Sequence, residues 1–167
     1  IDLGHRNIVH VGGDQQRQLD FEVHSNRLLG FREALASAGL WHDRDFFADD
    51  FDIPGGYRSA LKVLGTTDAR PTGIVAGSDE IALGVIMAAR ELGLRVPEDL
   101  SVIGIDGHPL GETFGLTTMN QHAANQGSMA VSQALAQLGG GPNNTDDTHL
   151  ELRVDLKVRS STAPPKA

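Results

Sequence analysis

Apolar residues along the chain alternate between short continuous runs and longer stretches with helical spacing. The short runs, in RNIVHVGG, DFFAD, TGIVAG and LSVIGID, are rich in β-branched or aromatic residues and end at turn-forming residues, which predicts strands. SNRLLGFREALASAGL has apolar residues three to four apart, with Ser25 as predicted N-cap and Gly39 as predicted stop. PGGYRSALKVLG and SDEIALGVIMAARELG predict two more helices.

The last third of the chain continues this pattern less regularly. LTTMNQ predicts a brief extended segment, and NQGSMAVSQALAQL predicts a helix that ends at the glycines of residues 139–141. HLELRVDLKVRSS then alternates apolar and polar residues, which predicts a closing strand. Its apolar face consists of Leu150, Leu152, Val154, Leu156 and Val158.

Regular alternation of strands and helices predicts an α/β fold with a mostly parallel sheet and helices on both faces. In such sheets, ligands bind at the carboxyl ends of the strands. The candidate site therefore includes the residues that follow each predicted strand, which are Asp14, Phe51, Ser78, Asp79 and Asp106.

Composition narrows the class of protein. With 167 residues the chain fits one domain, and its lack of cysteine excludes disulfides, thiolate catalysis and most structural zinc sites. The net charge of −8 argues against direct binding of a phosphate backbone. We find no apolar run long enough to cross a membrane and no secretion signal, so we expect a cytoplasmic protein. Because the chain opens at Ile1, we expect it to be part of a longer one.

The motifs of common enzyme and cofactor sites are missing from the sequence. The seven histidines include no HExxH pair, so we expect no metal, and VGGDQQRQ matches neither glycine-rich phosphate motif, so we expect no nucleotide cofactor. Ser78 stands on a predicted strand-to-helix turn without the flanking glycines of a nucleophile elbow. It suits the N-cap of the following helix, a role compatible with ligand contact. We therefore expect a protein that is not an enzyme.

The order of the motifs resembles that of LacI/GalR-family transcriptional regulators. The resemblance rests on DLGHRNIVHVGG, NRLLGFREALASAGL, DFDIPGGYRSALKVL, LTTMNQ and LKVRSSTAPP, and above all on the segment from AGSDEIALGV to RVPEDLSVIGID. It implies one lobe of a periplasmic-binding-protein type I-like fold. Residues 1–167 would form a partial effector-binding domain, the second lobe, with residues 117–140 crossing toward a first lobe. The DNA-binding headpiece would lie outside this sequence.

The resemblance also implies four ligand contacts. Arg27 matches an arginine before the GF of the first helix, Phe51 an aromatic residue that packs on the effector, and Asp106 an aspartate that accepts hydrogen bonds from it. Ser78 stands where many members have asparagine. From the residues alone, Arg27 could be an ordinary exposed arginine, Phe51 a core residue and Asp106 a turn residue.

The helix that follows Ser78 has apolar residues on more than one face, which suggests either a partner surface or burial between neighbouring elements. The resemblance places a homodimer contact there, with Leu83 and Phe114. It implies a small polar effector, such as a sugar or related metabolite, and operator DNA bound only through the headpiece. A solute-binding protein of a sugar transport system is the alternative, because it would share the cleft.

Overall fold

The computed structural model describes residues 1–13, 22–65, 70–138 and 151–166. Six strands form one sheet in the order β2-β1-β3-β4-β5-β6. The strands are β1 (Ile8–Gly13), β2 (Phe46–Asp49), β3 (Gly73–Ala76), β4 (Ser101–Asp106), β5 (Thr117–Asn120) and β6 (Asp155–Lys157). The helices are α1 (Glu22–Ser37), α2 (Ile53–Leu64), α3 (Asp79–Glu91), α4 (Leu110–Thr113) and α5 (Ala123–Leu138).

The sheet is parallel from β2 to β5, and only β6 pairs antiparallel, with β5. Helices lie on both faces, so the predicted α/β class is confirmed. Because β1, β3 and β4 are central and parallel, their carboxyl ends meet at one edge of the sheet. That edge holds Gly13, Gly77 and Asp106, each at or just after the end of its strand.

The two faces of β1 pack against different helices because successive side chains point to opposite sides of a strand. Val9 and Val11 join the larger core under α2 and α3, whereas Ile8 packs with Phe31 and Leu35 of α1. A strand that is buried on both faces reads as a near-continuous apolar run, which in β1 is interrupted by His10. Beside α1, an apolar depression of about 350 Å³ lies over the same face of the sheet.

α2 and α3 approach each other so closely that a glycine is required between them. A Cβ at Gly84 would lie 2.1 Å from the carbonyl oxygen of Ile53 and 2.6 Å from the amide nitrogen of Tyr57. The N-caps of both helices are side-chain oxygens. Asp52 accepts a hydrogen bond of 2.7 Å from Gly55 N in α2, and Ser78 caps α3 as predicted.

The ends of the elements agree only in part with the predictions. Ser25 is not an N-cap, because α1 already begins at Glu22, and the ring of His24 in the added turn packs 4.1 Å from that of Phe51. The predicted stop at Gly39 is confirmed, with φ +68° just after α1. The short α4 was not predicted.

β6 is much shorter than the predicted alternating strand. Its length is limited by its partner, since β5 has only four residues and pairs three of them, Thr118 to Asn120, with β6. Leu156 and Val158 are more than half exposed rather than part of a buried face. Asp14, Leu150 and residues 139–141 lie outside the described residues. None of the described helices is long and apolar enough to cross a membrane.

Candidate functional site

Three of the four predicted ligand contacts meet at the carboxyl edge of the sheet. They come from different elements: Arg27 from the second turn of α1, Phe51 from the segment after β2, and Asp106 from the end of β4. Because these residues are far apart in the chain, only the parallel sheet brings them together.

Arg27 connects the other groups of the edge. Its Nη1 donates a hydrogen bond of 2.5 Å to the carbonyl of Gly77, and its Nη2 lies 3.5 Å from Oδ1 of Asp106. The guanidinium carbon is 6.0 Å from the centroid of the Phe51 ring. The side chain is 15% exposed, so the positive charge is held in place and partly shielded from water.

Phe51 forms an apolar wall beside this charge. Its ring lies 4.1 Å from that of His24, tilted by 57°. The two rings and Arg27 border a narrow crevice whose other side is the backbone of Gly12, Gly13 and Gly77. Burial and the positive charge of Arg27 lower the pKa of His24, which favours its neutral form.

Asp106 presents a partly exposed carboxylate at this edge. Its side chain is 40% exposed, and its backbone has φ +135°, a conformation that side chains rarely adopt. Burial raises the pKa of its carboxyl, the charge of Arg27 opposes that rise, and Asp79 adds to it. Strained backbone maintained beside a charged pair is typical of functional sites.

Asp79 holds this strained turn, and the sequence did not reveal that role. It is fully buried, with Oδ1 accepting from Thr118 Oγ1 and Oδ2 from His108 N, both at 2.6 Å. Thr118 Oγ1 in turn accepts from Gly107 N at 3.2 Å. Asp79 therefore connects α3, β5 and the two residues that follow Asp106.

Ser78 lies at the same edge with a different contact. Its side chain is 2% exposed, and its hydroxyl oxygen accepts a hydrogen bond of 3.2 Å from Ile81 N. Ser78 thus lies at this edge as the N-cap of α3. Its direct contact with a ligand remains a prediction.

A second polar group, also missed from the sequence, borders the edge where β5 ends and β6 begins. Nε2 of His122 is 2.8 Å from Oδ2 of Asp155, and the amide of His122 donates to Oδ1 of Asn120 at 3.0 Å. His122 has φ +53°. The His122–Asp155 pair connects the segment that follows β5 with the first residue of β6.

No group of three or more potential metal ligands occurs within residues 1–13, 22–65, 70–138 and 151–166. At the described edge, the groups brought together are instead the cation of Arg27, the carboxylate of Asp106 and the aromatic face of Phe51. These are groups that bind a small polar molecule through hydrogen bonds and ring packing.

The two residues predicted for a dimer contact lie away from this edge. Leu83 in α3 is 2% exposed, so its side chain is buried within the lobe. Phe114, after α4, packs on the larger core with the guanidinium of Arg90 5.6 Å from its ring centroid. Among the large apolar residues of α3, Met87 is exposed, at 48%.

The chain matches the family model of the periplasmic binding protein-like domain over residues 1–162. The HTH-type transcriptional repressor PurR of Pectobacterium atrosepticum is 36% identical over 167 residues, a match that covers 98% of this chain and 47% of that protein. The chain therefore spans about half the length of this relative.

Solved structures of transcriptional regulators are also similar to this chain. A LacI family transcriptional regulator from Enterococcus faecium with bound ribose superposes with a TM-score of 0.82 at 30% identity, covering 99% of this chain and 59% of that one. A lac repressor dimer bound to operator and the anti-inducer ONPF has a TM-score of 0.83 at 26% identity, covering 97% and 54%.

Proposed function

This chain belongs to the family of periplasmic binding protein-like domains, in the form found in LacI-type transcriptional regulators, and from that premise we propose that it is an effector-sensing lobe. Its ligand is a small polar molecule, a sugar or a related metabolite. The molecule binds at the carboxyl edge of the sheet, between this lobe and another.

The observation that carries the proposal is the meeting of Arg27, Phe51 and Asp106 at one edge. A carboxylate can accept from two neighbouring hydroxyls, and a guanidinium donates several hydrogen bonds in a fixed plane. An aromatic ring covers the C–H face of a sugar. The ribose in the Enterococcus faecium regulator supports a ligand of this class.

The other half of the cleft is proposed to come from a first lobe, reached by residues 117–140. β5 stays in the sheet as far as Asn120, and α5 follows. No side chain of α5 is buried against the rest of the described chain. Its exposed apolar residues suit packing on another lobe; they are Met129, Val131, Leu135 and Leu138.

Ligand binding would act by population shift. A ligand that contacts both lobes favours the inter-lobe arrangement in which those contacts form, by as much as its affinities for the two arrangements differ. In a homodimer, that arrangement sets the spacing of two DNA-binding headpieces and hence operator affinity. The chain itself would act in the cytoplasm, without catalysis, and would reach operator DNA only through the headpieces.

Titration of the complete gene product with D-ribose and a panel of other monosaccharides tests the ligand site. We expect Asp106→Asn and Arg27→Gln to lower the affinity for the tightest-binding sugar at least tenfold, because each removes a charge-assisted hydrogen bond worth about 1.5–3 kcal/mol. Asp43→Asn changes an exposed carboxylate near the opposite edge and should leave the affinity unchanged. Equal affinity in all four proteins would refute the site.

Operator binding with and without that sugar tests the coupling. An unchanged operator affinity at saturating sugar would contradict the coupling, whereas no operator binding in either condition would favour the transport alternative, in which the cleft is the same but no DNA is bound. Relatives named as transcriptional repressors support the regulator.

The dimer contact is proposed to lie on α3 and Phe114, with Met87 as its exposed apolar residue. Sedimentation of the complete gene product should show a dimer at micromolar concentration, and Met87→Glu should shift it toward monomer by burying a charge in the interface. Leu83→Ala is less suitable, because Leu83 is buried within the lobe and its truncation also destabilises the fold. A monomer in the unmodified protein would refute the contact.

A further inference from the structure

We propose a second binding site, at the amino-terminal edge of the sheet, for a small organic anion with an apolar body. A depression of about 440 Å³ lies where β1, β2 and β3 begin, opposite to the edge that holds Asp106. Its size falls within the range of about 300–1,000 Å³ that small-molecule sites occupy. It is lined by Arg6, Arg44, Leu40, Phe47, Val63 and Pro71, among others.

The positive charge of this depression stands out in a chain with net charge −8. Arg44 is exposed and has no hydrogen bond or ion pair to any other described residue. Among residues 1–13, 22–65, 70–138 and 151–166, Arg6 donates to backbone alone, through Nη1 to the carbonyls of Ile1 and His5 at 3.1 and 3.0 Å. Within the described chain, neither guanidinium is paired with a carboxylate, so both remain available to an anion.

The carboxylate in the lining carries one negative charge, but within the described residues it forms no ion pair with either arginine and is bonded to its own loop instead. Asp45 is 6% exposed, and its Oδ2 accepts a hydrogen bond of 2.9 Å from His42 N. The amide of Asp45 donates to the carbonyl of His42 at 3.0 Å. The two bonds close a tight turn over residues 42–45, which fixes the backbone that carries Arg44.

Lys62 also lines the depression, but its ammonium is directed toward a carboxylate outside the lining. Its ammonium lies 3.4 Å from Oδ2 of Asp49, a carboxylate that already binds Arg58. The stem of Lys62 adds to the apolar wall instead. Recognition of an anion is therefore assigned to the two arginines.

The remaining walls define the rest of the ligand. Leu40, Phe47, Val63 and Pro71 present carbon surface to the depression. A guanidinium binds a carboxylate through two parallel hydrogen bonds, and apolar side chains cover an aromatic or branched body. The chemical class is thus an aromatic or branched aliphatic carboxylate. The inference does not depend on the ligand proposed for the opposite edge, since the two sites share no residue.

Benzoate is a suitable probe, with benzamide as its neutral counterpart of the same shape. Titrations of the ¹⁵N-labelled complete gene product, followed by amide chemical shifts, give both the affinity and the location of each probe. We expect benzoate to shift the amides of residues 40–47 and to bind at least tenfold more tightly than benzamide. Arg44→Gln should reduce benzoate affinity at least fivefold.

Two further variants make the test decisive. Arg153→Gln removes an exposed arginine elsewhere on the surface and should leave benzoate affinity unchanged. Arg27→Gln removes the cation of the opposite edge and should also leave it unchanged. Loss of binding in Arg27→Gln with none in Arg44→Gln would overturn the proposal, as would equal binding of benzoate and benzamide. Amide shifts that change only around the substituted residue confirm that each variant is folded.

Discussion

Arg27 and Asp106 form an ion pair of 3.5 Å across 79 positions of sequence, at the edge of the sheet where β4 ends. The pair is loose because Nη1 of Arg27 is already bound to the carbonyl of Gly77 at 2.5 Å. The charge of Arg27 therefore offsets only part of the cost of burying the Asp106 carboxylate. The carboxylate oxygens can still accept hydrogen bonds from a ligand.

The first prediction concerns the charge of Asp106. Burial raises the pKa of its carboxyl, and Arg27 counteracts that rise. Arg27→Gln removes the positive charge, so the pKa of Asp106 should rise further. NMR titration of the side-chain carboxyl carbons measures this pKa directly.

Arg58→Gln is the matched control for that experiment. Its guanidinium binds Asp49, and this hydrogen bond is the main reason that the pKa of Asp49 is lowered to about 2. The control should raise the pKa of Asp49 and leave that of Asp106 unchanged. Arg27→Gln should raise the pKa of Asp106 and leave that of Asp49 unchanged. An Asp106 pKa that is the same with and without Arg27 would show that the pair does not form in solution.

The second prediction concerns the buried carboxylate that supports Asp106. Asp79→Asn keeps the shape but places an amide group opposite either the hydroxyl of Thr118 or the amide of His108, both of which donate to the carboxylate. We expect a loss of about 2–3 kcal/mol in the free energy of unfolding, the range for a buried hydrogen-bonded charge that loses a partner. Urea unfolding measures it.

Thr118→Val provides the second half of a double-mutant cycle. It removes the hydroxyl that bonds to Asp79 and accepts from Gly107 N. Because the residues share one network, the two changes should be non-additive, with a coupling of about 1 kcal/mol or more. Strict additivity would show that Asp79 and Thr118 act independently and would contradict the network.

The sheet and the edge at which its parallel strands end were predictable because they depend on local signals. Apolar runs located the strands, and their regular alternation with helices implies parallel order, which brings the strand ends together. Ser78 as N-cap followed from its position before the helical spacing of α3. The resemblance named Arg27 and Asp106, and the structure shows them in contact.

What could not be predicted depends on residues that are distant in sequence. Asp79 looks like an ordinary acidic residue in the first turn of a helix. Its burial requires Thr118 on another strand, and also Gly104, whose Cβ would lie 2.2 Å from Oδ1 of Asp79. The start of α1 depends on the packing of His24 against Phe51, and the length of β6 on its partner β5. None of these partners can be recognised from local periodicity.

The third prediction uses the close contact of α2 and α3. Gly84→Ala places a methyl group 2.1 Å from the carbonyl oxygen of Ile53, so the two helices must separate. We expect a loss of about 3 kcal/mol or more in the free energy of unfolding, the upper end for overpacking against rigid backbone.

Gly30→Ala is its matched control in the exposed part of α1. A Cβ at Gly30 has no neighbour within 4 Å, so alanine should stabilise the protein by about 0.5–1 kcal/mol through its higher helix propensity. If urea unfolding shows that both substitutions change the free energy of unfolding in the same direction, the helices are not in the contact described for Gly84.

The last prediction concerns pH. His10 is 2% exposed, its ring lies between those of Phe31 and Phe46, and Nδ1 is 2.8 Å from the carbonyl oxygen of Val75. Burial lowers its pKa from 6.5 to about 4. Between these values the unfolded chain binds a proton that the folded chain does not, so stability should fall as pH decreases from about 6.5 to about 4. The full contribution is about 3 kcal/mol.

His10→Phe should remove most of this slope, whatever its effect on stability at pH 7, because phenylalanine cannot bind a proton in either state. His24→Phe should remove a smaller part, since the pKa of His24 is also lowered but its ring is less buried. Urea unfolding of the three proteins at several values between pH 4 and 7 separates the two contributions. A slope as steep in His10→Phe as in the unmodified protein would mean that the pKa of His10 is not lowered by folding, and the stacked, neutral ring would then be the wrong description of this core.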